Sequence, residues 1–123
     1  MAVERRAPAQ DVARQLFGRE ITSEREDDPF FDVSLEHLFG EIWSRPGLAI
    51  RDRSLVTIAA LMVLGREKQF ALHLRGALNV GITPTEIEEM IVHLAYYGRY
   101  PVAASARDIA MSVLTDTETA QGT

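Results

Sequence analysis

Apolar residues recur three or four positions apart through most of this chain, the spacing that places them along one side of an α-helix. No segment alternates apolar and polar residues as a half-buried β-strand does. The pattern therefore predicts an all-α fold of about six helices. The first is a short helix that has Pro8 in its first turn and ends at Gly18. The charged and aperiodic residues 19–28 follow as a solvated linker.

The second and third helices are predicted from their caps and apolar stripes. Asp28 caps the second helix, which ends near Trp43, and Pro29 suits its first position. The third, about 51–64, is apolar around nearly its whole circumference and is expected to be the buried centre of the fold, ending at Gly65. The inward residues predicted for the second helix are Phe31, Leu35, Leu38 and Ile42.

The clearest local signal in the sequence opens the fifth helix. Thr83 and Glu86 have the spacing of a capping box, and Pro84 lies between them in the first turn. The fourth helix is predicted to end near Gly81, and the break at 98–101 precedes the last helix. The inward residues predicted for the fourth and fifth helices are Phe70, Leu74, Ala77, Leu78, Ile87, Met90, Ile91 and Leu94.

Length and composition indicate one domain spanning residues 1–123, with 1–28 as N-terminal helix and charged linker and 115–123 as a flexible polar tail. The net charge of −5, without a basic block, argues against a nucleic-acid partner. The absence of cysteine excludes thiol chemistry and disulfides. No apolar run approaches the roughly 20 residues of a membrane-spanning helix. We therefore expect a soluble, cytoplasmic protein without a membrane partner.

Two histidines are candidates for chemistry. His73 lies beside the inward stripe of the fourth helix, where it can transfer a proton near neutral pH. A partly buried structural histidine with one hydrogen bond explains the same position. On the fifth helix, Glu86, Glu89, His93 and Tyr97 share one side and could form a relay, although ordinary helix-stabilising contacts have the same spacing.

Arginines near the predicted turn at 45–47 and on later helices suit a carboxylate-bearing ligand, because a guanidinium meets two carboxylate oxygens at once. Many surface arginines bind only water or a local acid. The sequence has no glycine-rich phosphate loop, no His-Glu-x-x-His pair and no Gly-x-Ser-x-Gly elbow. The residues alone thus indicate a helical domain with a candidate anion site. The arginines concerned are Arg45, Arg51, Arg53, Arg66, Arg75 and Arg99.

Several blocks of this sequence resemble, in order, those of the gamma-carboxymuconolactone decarboxylase family. The first two are FGEIWSRPGL at 39–48 and RDRSLVTIA at 51–59. The next are LGRE at 64–67, LHLR at 72–75, GITPTEI at 81–87 and EMIVHLA at 89–95, and the likeness continues to Pro101 and fades after about Ala110. An ordered series of this length is far more specific than a single motif.

The resemblance implies the AhpD-like all-α fold, in which helices interlock between the subunits of a homotrimer or homohexamer. It also implies cofactor-independent decarboxylation of a small carboxylated lactone or conjugated acid. Related peroxidases use a Cys-x-x-Cys pair, and here Arg66 and Gln69 stand at about those positions, which excludes that branch. Ser54 stands where the peroxidases have a relay glutamate, and His73 matches their histidine.

The same resemblance gives the expected site. We expect His73 to transfer the proton, with His93 as a second catalytic candidate. No metal or cofactor is expected, and the partner is a small carboxylate or lactone substrate. The expected substrate-binding residues are Trp43, Arg45, Arg53, Arg75, Tyr97 and Arg99.

One segment departs from the family pattern. The family commonly reads YAGVPAAN where this chain has YGRYPVAA at 97–104. If this segment borders the pocket, its bulkier and more cationic side chains predict a different acid, in a biosynthetic rather than a catabolic route. Two alternatives stay open, namely an enzyme of the same fold that catalyses cyclisation, isomerisation or lactone opening, and a non-catalytic oligomeric binding subunit.

Overall fold

Helices make up all the regular secondary structure in the part of the chain that the structure describes. A computed structural model describes the backbone of residues 2–122 and the side chains of residues 5–116. The predicted all-α fold of about six helices is confirmed and is consistent with the AhpD-like arrangement. The helices are α1 (Ala2–Phe17), α2 (an α-helical start, Pro29–Val33, continued by a π-helix, Ser34–Ile42), α3 (Ile50–Leu64), α4 (Glu67–Asn79), α5 (Pro84–Leu94) and α6 (Tyr100–Gly122).

The predicted capping signals are present at the helix ends. The Asp28 carboxylate accepts a hydrogen bond from the Phe31 N–H at 3.1 Å, with proline at the first helical position. The Thr83 hydroxyl accepts from the Glu86 N–H at 3.1 Å, while the Thr83 N–H donates to the Glu86 carboxylate at 3.0 Å. Positive φ angles occur at the predicted terminators Gly18, Gly65 and Gly81.

The buried side chains form two clusters. The larger lies between α3, α4, α5 and α6, and the smaller between α1, α2 and the ends of α3 and α4. Helix α1 packs against both α2 and α4, so it joins the smaller cluster to the larger one. The larger cluster contains Ile58, Met62, Phe70, Leu74, Ala77, Ile82, Ile87, Ile91, Ala103, Ala106, Ala110 and Val113. The smaller contains Ala9, Val12, Leu16, Leu35, Phe39 and Trp43.

Helix α1 begins earlier than predicted, because Pro8 lies inside it rather than in its first turn. A proline within a helix removes one backbone hydrogen bond, so other contacts must hold the preceding turn. Arg5 forms an ion pair with Glu41 at 2.9 Å, and Arg6 lies 3.4 Å from the Glu36 carboxylate. These contacts connect the turn before Pro8 to α2.

The predicted inward face of α2 is partly wrong. Leu38 and Ile42 are 41% and 36% exposed, whereas Phe39 and Trp43 are buried with Leu35. The cause is the π-helix, in which the Trp43 N–H donates to the carbonyl of Leu38, five residues earlier, at 2.8 Å. This wider turn brings residues four positions apart onto one face.

Helix α3 is not buried on all sides in the single chain. Ser54, Ile58 and Met62 are buried, but Val56 and Leu64 are 60% and 67% exposed. The contacts of α3 with α4, α5 and α6 leave its other side open. The prediction that α3 is the wholly buried centre is therefore wrong for the isolated chain.

The last helix continues past the end of its apolar pattern. The helical backbone extends to Gly122, and the flexible tail expected from residue 115 stays a prediction. The Thr115 hydroxyl donates to the carbonyl of Met111 at 2.8 Å, a bond that a helical turn accommodates. Side chains beyond residue 116 lie outside the described residues.

None of the helices within the described residues combines the length and the apolar character needed to cross a membrane.

Candidate functional site

His73 lies on α4 where that helix meets α1 and α2. Its ring stacks on Trp43, with 6.2 Å between ring centroids and 19° between planes. Phe17 meets the same ring edge-on at 5.6 Å. Burial lowers the pKa of His73 from its ordinary value of 6.5, so the imidazole is neutral at pH 7. The structure thus brings the predicted proton-transfer residue and the predicted pocket wall, Trp43, together.

The aromatic surroundings of His73 follow from the π-helix in α2. Phe39 and Trp43 share its buried face, with their ring centroids 6.1 Å apart, and Phe17 packs edge-on against Phe39 at 5.9 Å. A regular α-helix would place residues four positions apart less nearly in line. The winding of α2 therefore determines which aromatic rings reach His73.

Two glycines allow α1 to lie close to its neighbours. A Cβ atom at Gly40 would lie 2.6 Å from the carbonyl oxygen of Arg5, and one at Gly76 would lie 2.8 Å from Cδ1 of Leu16. Both distances are too short for a real contact, so α1 could not pack at its present position against larger residues. The absence of these two side chains allows the end of α1, with Phe17, to lie beside His73.

Two buried side-chain atoms have no hydrogen-bond partner among the described residues, Nδ1 of His73 and the hydroxyl of Ser54. An unpaired buried polar atom costs about 1–3 kcal/mol, so natural proteins hold few of them. Both residues stand at positions that the sequence resemblance associates with chemistry. A structural histidine whose one hydrogen bond is formed by Nε2 would also leave Nδ1 unpaired, so this alternative stays open.

A crevice of about 260 Å³ lies against Phe17, on the side of α4 that faces the end of α1. Two arginines, Arg19 and Arg75, line it, and no carboxylate does. By contrast, the three other cavities described each have at least one glutamate in their lining. The crevice is therefore a local site of positive charge in a chain of net charge −5. Its lining residues are Phe17, Arg19, Ile21, Leu72, Arg75, Gly76 and Asn79.

His93 occupies a different environment on α5. It is exposed, and its ring stacks on Tyr97 at 4.9 Å, with Tyr97 itself 77% exposed. The adjoining groove, of about 520 Å³, is open and is lined by Glu86 and Glu89 as well as His93. The structure therefore places His93 and Tyr97 beside negative charge, away from the arginine-lined crevice.

Hydrogen bonds from neighbouring residues hold the carboxylate of Glu86 in its ionised form. Arg51 donates to both oxygens of its carboxylate at 2.5 Å, and the Thr83 N–H donates to it as well. The hydrogen bond from Arg51, followed by that from Thr83, lowers the pKa of Glu86 to about 2. A carboxylate held in this way is a poor member of a proton relay near neutral pH.

The other predicted arginines do not line the crevice. Arg53 donates from Nε to the carbonyl of Leu48 and from Nη2 to that of Arg45, both at 3.0 Å, so it holds the turn before α3. The side chains of Arg45 and Arg99 are exposed. Of the arginines expected to bind substrate, Arg75 is the one at the crevice.

Comparison with known proteins gives the family. The sequence model of the carboxymuconolactone decarboxylase family matches residues 28–111, which is more than half of the chain. The chain belongs to this family. A 4-carboxymuconolactone decarboxylase from Acinetobacter baylyi is 37% identical over 121 residues, an alignment that covers 86% of this chain and 90% of that protein.

Two further relatives are similar to this chain over most of its length. A nitrosuccinic acid decarboxylase from Metarhizium robertsii is 33% identical over 88 residues, covering 72% of this chain and 62% of that protein. An uncharacterised 15.0 kDa protein from Paracoccus denitrificans is 30% identical over 128 residues, covering 86% of this chain and 96% of that protein. The sequence resemblance to this family is thus confirmed.

The segment that departs from the family pattern lies away from the crevice. Pro101 and Val102 line a separate cavity of about 240 Å³, together with Arg66 and Phe70. Residues 97–104 were expected to alter the choice of acid if they border the pocket. None of them lines the crevice beside Phe17.

Sequence reasoning missed the contribution of α1 to the site. No residue of the short first helix was expected at the site, and Arg19 was expected to lie at the start of a solvated linker. Gly18 and Gly76 were the available signals, because one turns the chain and the other allows close packing, but neither identifies its partner helix from sequence alone.

Among the described residues, no group of three or more histidine, aspartate or glutamate side chains is arranged to hold a metal ion.

Proposed function

We propose that this protein is a cofactor-independent decarboxylase of a small carboxylated lactone or a similar conjugated acid. The observation that carries the proposal is the buried Nδ1 of His73, which has no partner among the described residues, in a ring that packs against Phe17, and Phe17 also lines a crevice with two arginines and no carboxylate. The names of two relatives, a 4-carboxymuconolactone decarboxylase and a nitrosuccinic acid decarboxylase, support the reaction type. Both named acids carry two carboxyl groups.

The first task of such a site is to bind the acid. Arg75 is exposed at the crevice, and its one described hydrogen bond is a long one, 3.4 Å, to the carbonyl of Ala71. Its guanidinium is therefore available for a carboxylate, which it can meet through two parallel hydrogen bonds. The apolar part of the lining, Phe17, Ile21 and Leu72, limits the water that competes for these bonds.

The second task is the loss of carbon dioxide. The bond between the carboxyl carbon and its neighbour breaks, and its electron pair moves through the conjugated double bond to the lactone carbonyl. The product of this step is carbon dioxide and a dienolate whose negative charge is spread over several atoms. The aromatic wall that Phe17 provides favours this dispersed charge over the localised charge of a carboxylate.

The third task is to return a proton to carbon, which we assign to His73. Burial disfavours the charged form of the His73 imidazole, so before the acid binds we expect the ring to be neutral. A bound dianion nearby favours the imidazolium, so substrate binding raises the pKa of His73 and loads it with a proton. The imidazolium then protonates the dienolate carbon and returns to the neutral state.

We further propose that the protein assembles as a homotrimer or homohexamer. The single chain exposes large apolar side chains on α3 and around the end of α5, and such surface favours association. Tyr97, Arg45, Arg53 and Arg99 stay candidates for substrate contact in this assembly, whereas we expect His93 to contribute little to proton transfer. The exposed apolar side chains that support it include Val56, Val63, Leu64, Tyr96 and Tyr100.

Release of carbon dioxide tests the proposal directly. The purified protein is incubated with 4-carboxymuconolactone and, separately, with nitrosuccinic acid, with a chelator present and without added cofactor. We expect carbon dioxide and one decarboxylated product, identified by NMR, from at least one acid, and slower turnover by Arg75→Gln. An isomerised, cyclised or ring-opened product that retains every carboxyl group would contradict decarboxylation and favour the alternative chemistry.

A further inference from the structure

We propose that Arg19, in the segment after α1, is a second carboxylate-binding residue that makes the crevice selective for acids with two carboxylates. This inference rests on the proposed function, because it concerns the same crevice. It assigns a role in specificity to a residue outside the matched family region, which begins at residue 28.

The backbone around Arg19 is fixed on both sides. Before it, the carbonyl of Leu16 accepts a hydrogen bond from Nδ2 of Asn79 on α4 at 2.9 Å. After it, the N–H and carbonyl of Ile21 each bond to the side-chain amide of Gln10 on α1, both at 3.0 Å. Gly18, with φ +78°, turns the chain between these two anchors. Arg19 is therefore held at the crevice rather than carried on a free linker.

The acids near Arg19 are already engaged. The neighbouring carboxylate of Glu20 binds Arg14, which also binds Asp11. Among the described residues, no ion pair or hydrogen bond involves the Arg19 side chain, and the crevice that it lines contains no carboxylate. An unpaired guanidinium beside another at one crevice is a natural site for an anionic ligand.

Two guanidiniums on separate elements suit two carboxylates. A single guanidinium is matched by one carboxylate through its paired N–H groups. Arg75 comes from α4 and Arg19 from the segment after α1, so two separate elements each supply one guanidinium to the crevice lining. A diacid gains from both contacts, whereas an acid with one carboxylate gains from one. Arg19 therefore increases the preference for a diacid rather than the affinity for every acid.

The experiment compares Arg19→Gln with Arg25→Gln, an exposed arginine of the same segment that does not line the crevice. Calorimetry measures the binding of succinate, a dicarboxylate, and of butyrate, a monocarboxylate of equal chain length, neither of which requires turnover. We expect Arg19→Gln to weaken succinate binding about tenfold and butyrate binding less than about twofold, since a charge-assisted bond is lost for the diacid alone. Arg25→Gln should leave both affinities unchanged.

Steady-state kinetics on the acid that releases carbon dioxide provides the second measurement. Arg19→Gln should raise KM about tenfold and change kcat less than about twofold, because binding and not the chemical step is affected. Two results together would overturn the role of Arg19. The first is that wild type and variant bind succinate equally or that neither binds it, and the second is that KM is unchanged. If no acid is decarboxylated but succinate binding still depends on Arg19, the inference stands and the proposed function fails.

Discussion

His73 on α4 and His93 on α5 look alike in sequence, since each lies near an apolar helical stripe and within a block shared with the decarboxylase family. In the structure they differ in every property that matters for proton transfer. His73 is half-buried between Phe17 and Trp43, with an unpaired Nδ1. His93 is exposed, stacks on Tyr97, and shares its groove with two glutamates.

The difference arises from the elements that cover each helix rather than from the helices themselves. Helices α1 and α2 lie over the outer side of α4 and bring the rings of Phe17 and Trp43 to His73, and Phe17 also lines the crevice that contains two arginines. Within the described residues of the single chain, nothing comparable covers the side of α5 that carries His93. An imidazole in the first environment can change its protonation state when an anion binds, which is what a proton donor in a decarboxylation must do.

Replacing each of the two histidines tests this difference most strongly. His73→Gln should lower kcat about 100-fold or more, the usual contribution of a positioned acid or base. His93→Gln, the matched control, should change kcat less than about threefold. Rates of carbon dioxide release measure both, and circular dichroism confirms that each variant is folded. A larger loss for His93→Gln than for His73→Gln would reverse the assignment of the catalytic histidine.

Moving α1 away from α4 should make the site of His73 resemble that of His93. Gly76→Ala places a Cβ atom 2.8 Å from Cδ1 and 3.1 Å from the carbonyl oxygen of Leu16, and the backbone oxygen cannot rotate aside. Overpacking of this kind costs about 1–3 kcal/mol of unfolding free energy. The same displacement shifts Phe17 and Arg19 at the crevice, so KM should rise as well. Urea denaturation and steady-state kinetics provide the two measurements.

The control for that substitution is Gly47→Ala. A Cβ atom at Gly47 meets no atom within 4 Å, and its backbone does not lie in the left-handed region. Its effect on the unfolding free energy should stay within about 0.5 kcal/mol, as is usual for exposed positions. A Gly76→Ala variant as stable as Gly47→Ala would show that α1 does not depend on this close approach.

The sequence predicted the helices well because their signals are local. Asp28 and Pro29, the box of Thr83 and Glu86, and the glycine at 65 each act on the backbone next to them, and each is present as predicted. The burial pattern of α4 and α5 also followed from the helical period. Local chemistry was therefore sufficient for the number, order and most ends of the elements.

The parts that sequence reasoning missed depend on contacts between distant residues. The π-helix in α2 exchanged Leu38 and Ile42 for Phe39 and Trp43 on the buried face, a change of winding that a period of 3.6 residues does not anticipate. Asn79 binds the carbonyl of Leu16 across 63 positions of sequence, and this contact places Arg19 at the crevice. The hydrogen bonds of Arg53 to backbone carbonyls of the preceding turn were likewise not indicated by the sequence, and its expected role in substrate binding stays a prediction.

The smallest expected effect is the pH dependence of stability. Burial lowers the pKa of His73 in the folded state below the value of about 6.5 that it has in the unfolded chain. In this range the unfolded chain binds more protons than the folded one, so stability falls as the pH falls. The contribution is therefore present in full above pH 6.5 and is lost as the pH decreases toward the folded-state pKa.

Urea denaturation at a series of pH values between about 7.5 and 5 measures this contribution, because this range spans the ordinary histidine pKa of about 6.5. His73→Gln should flatten the fall in unfolding free energy below pH 6.5, whatever its effect on stability at pH 7.5. His93→Gln should leave the fall unchanged, because the imidazole responsible for it remains in place between Phe17 and Trp43. If the two variants had the same pH slope, burial would not distinguish the two histidines, and the proton donor would have to be sought elsewhere. The dependence of the unfolding free energy on pH reports the environment of the His73 ring independently of catalysis, since neither substrate nor turnover enters the measurement.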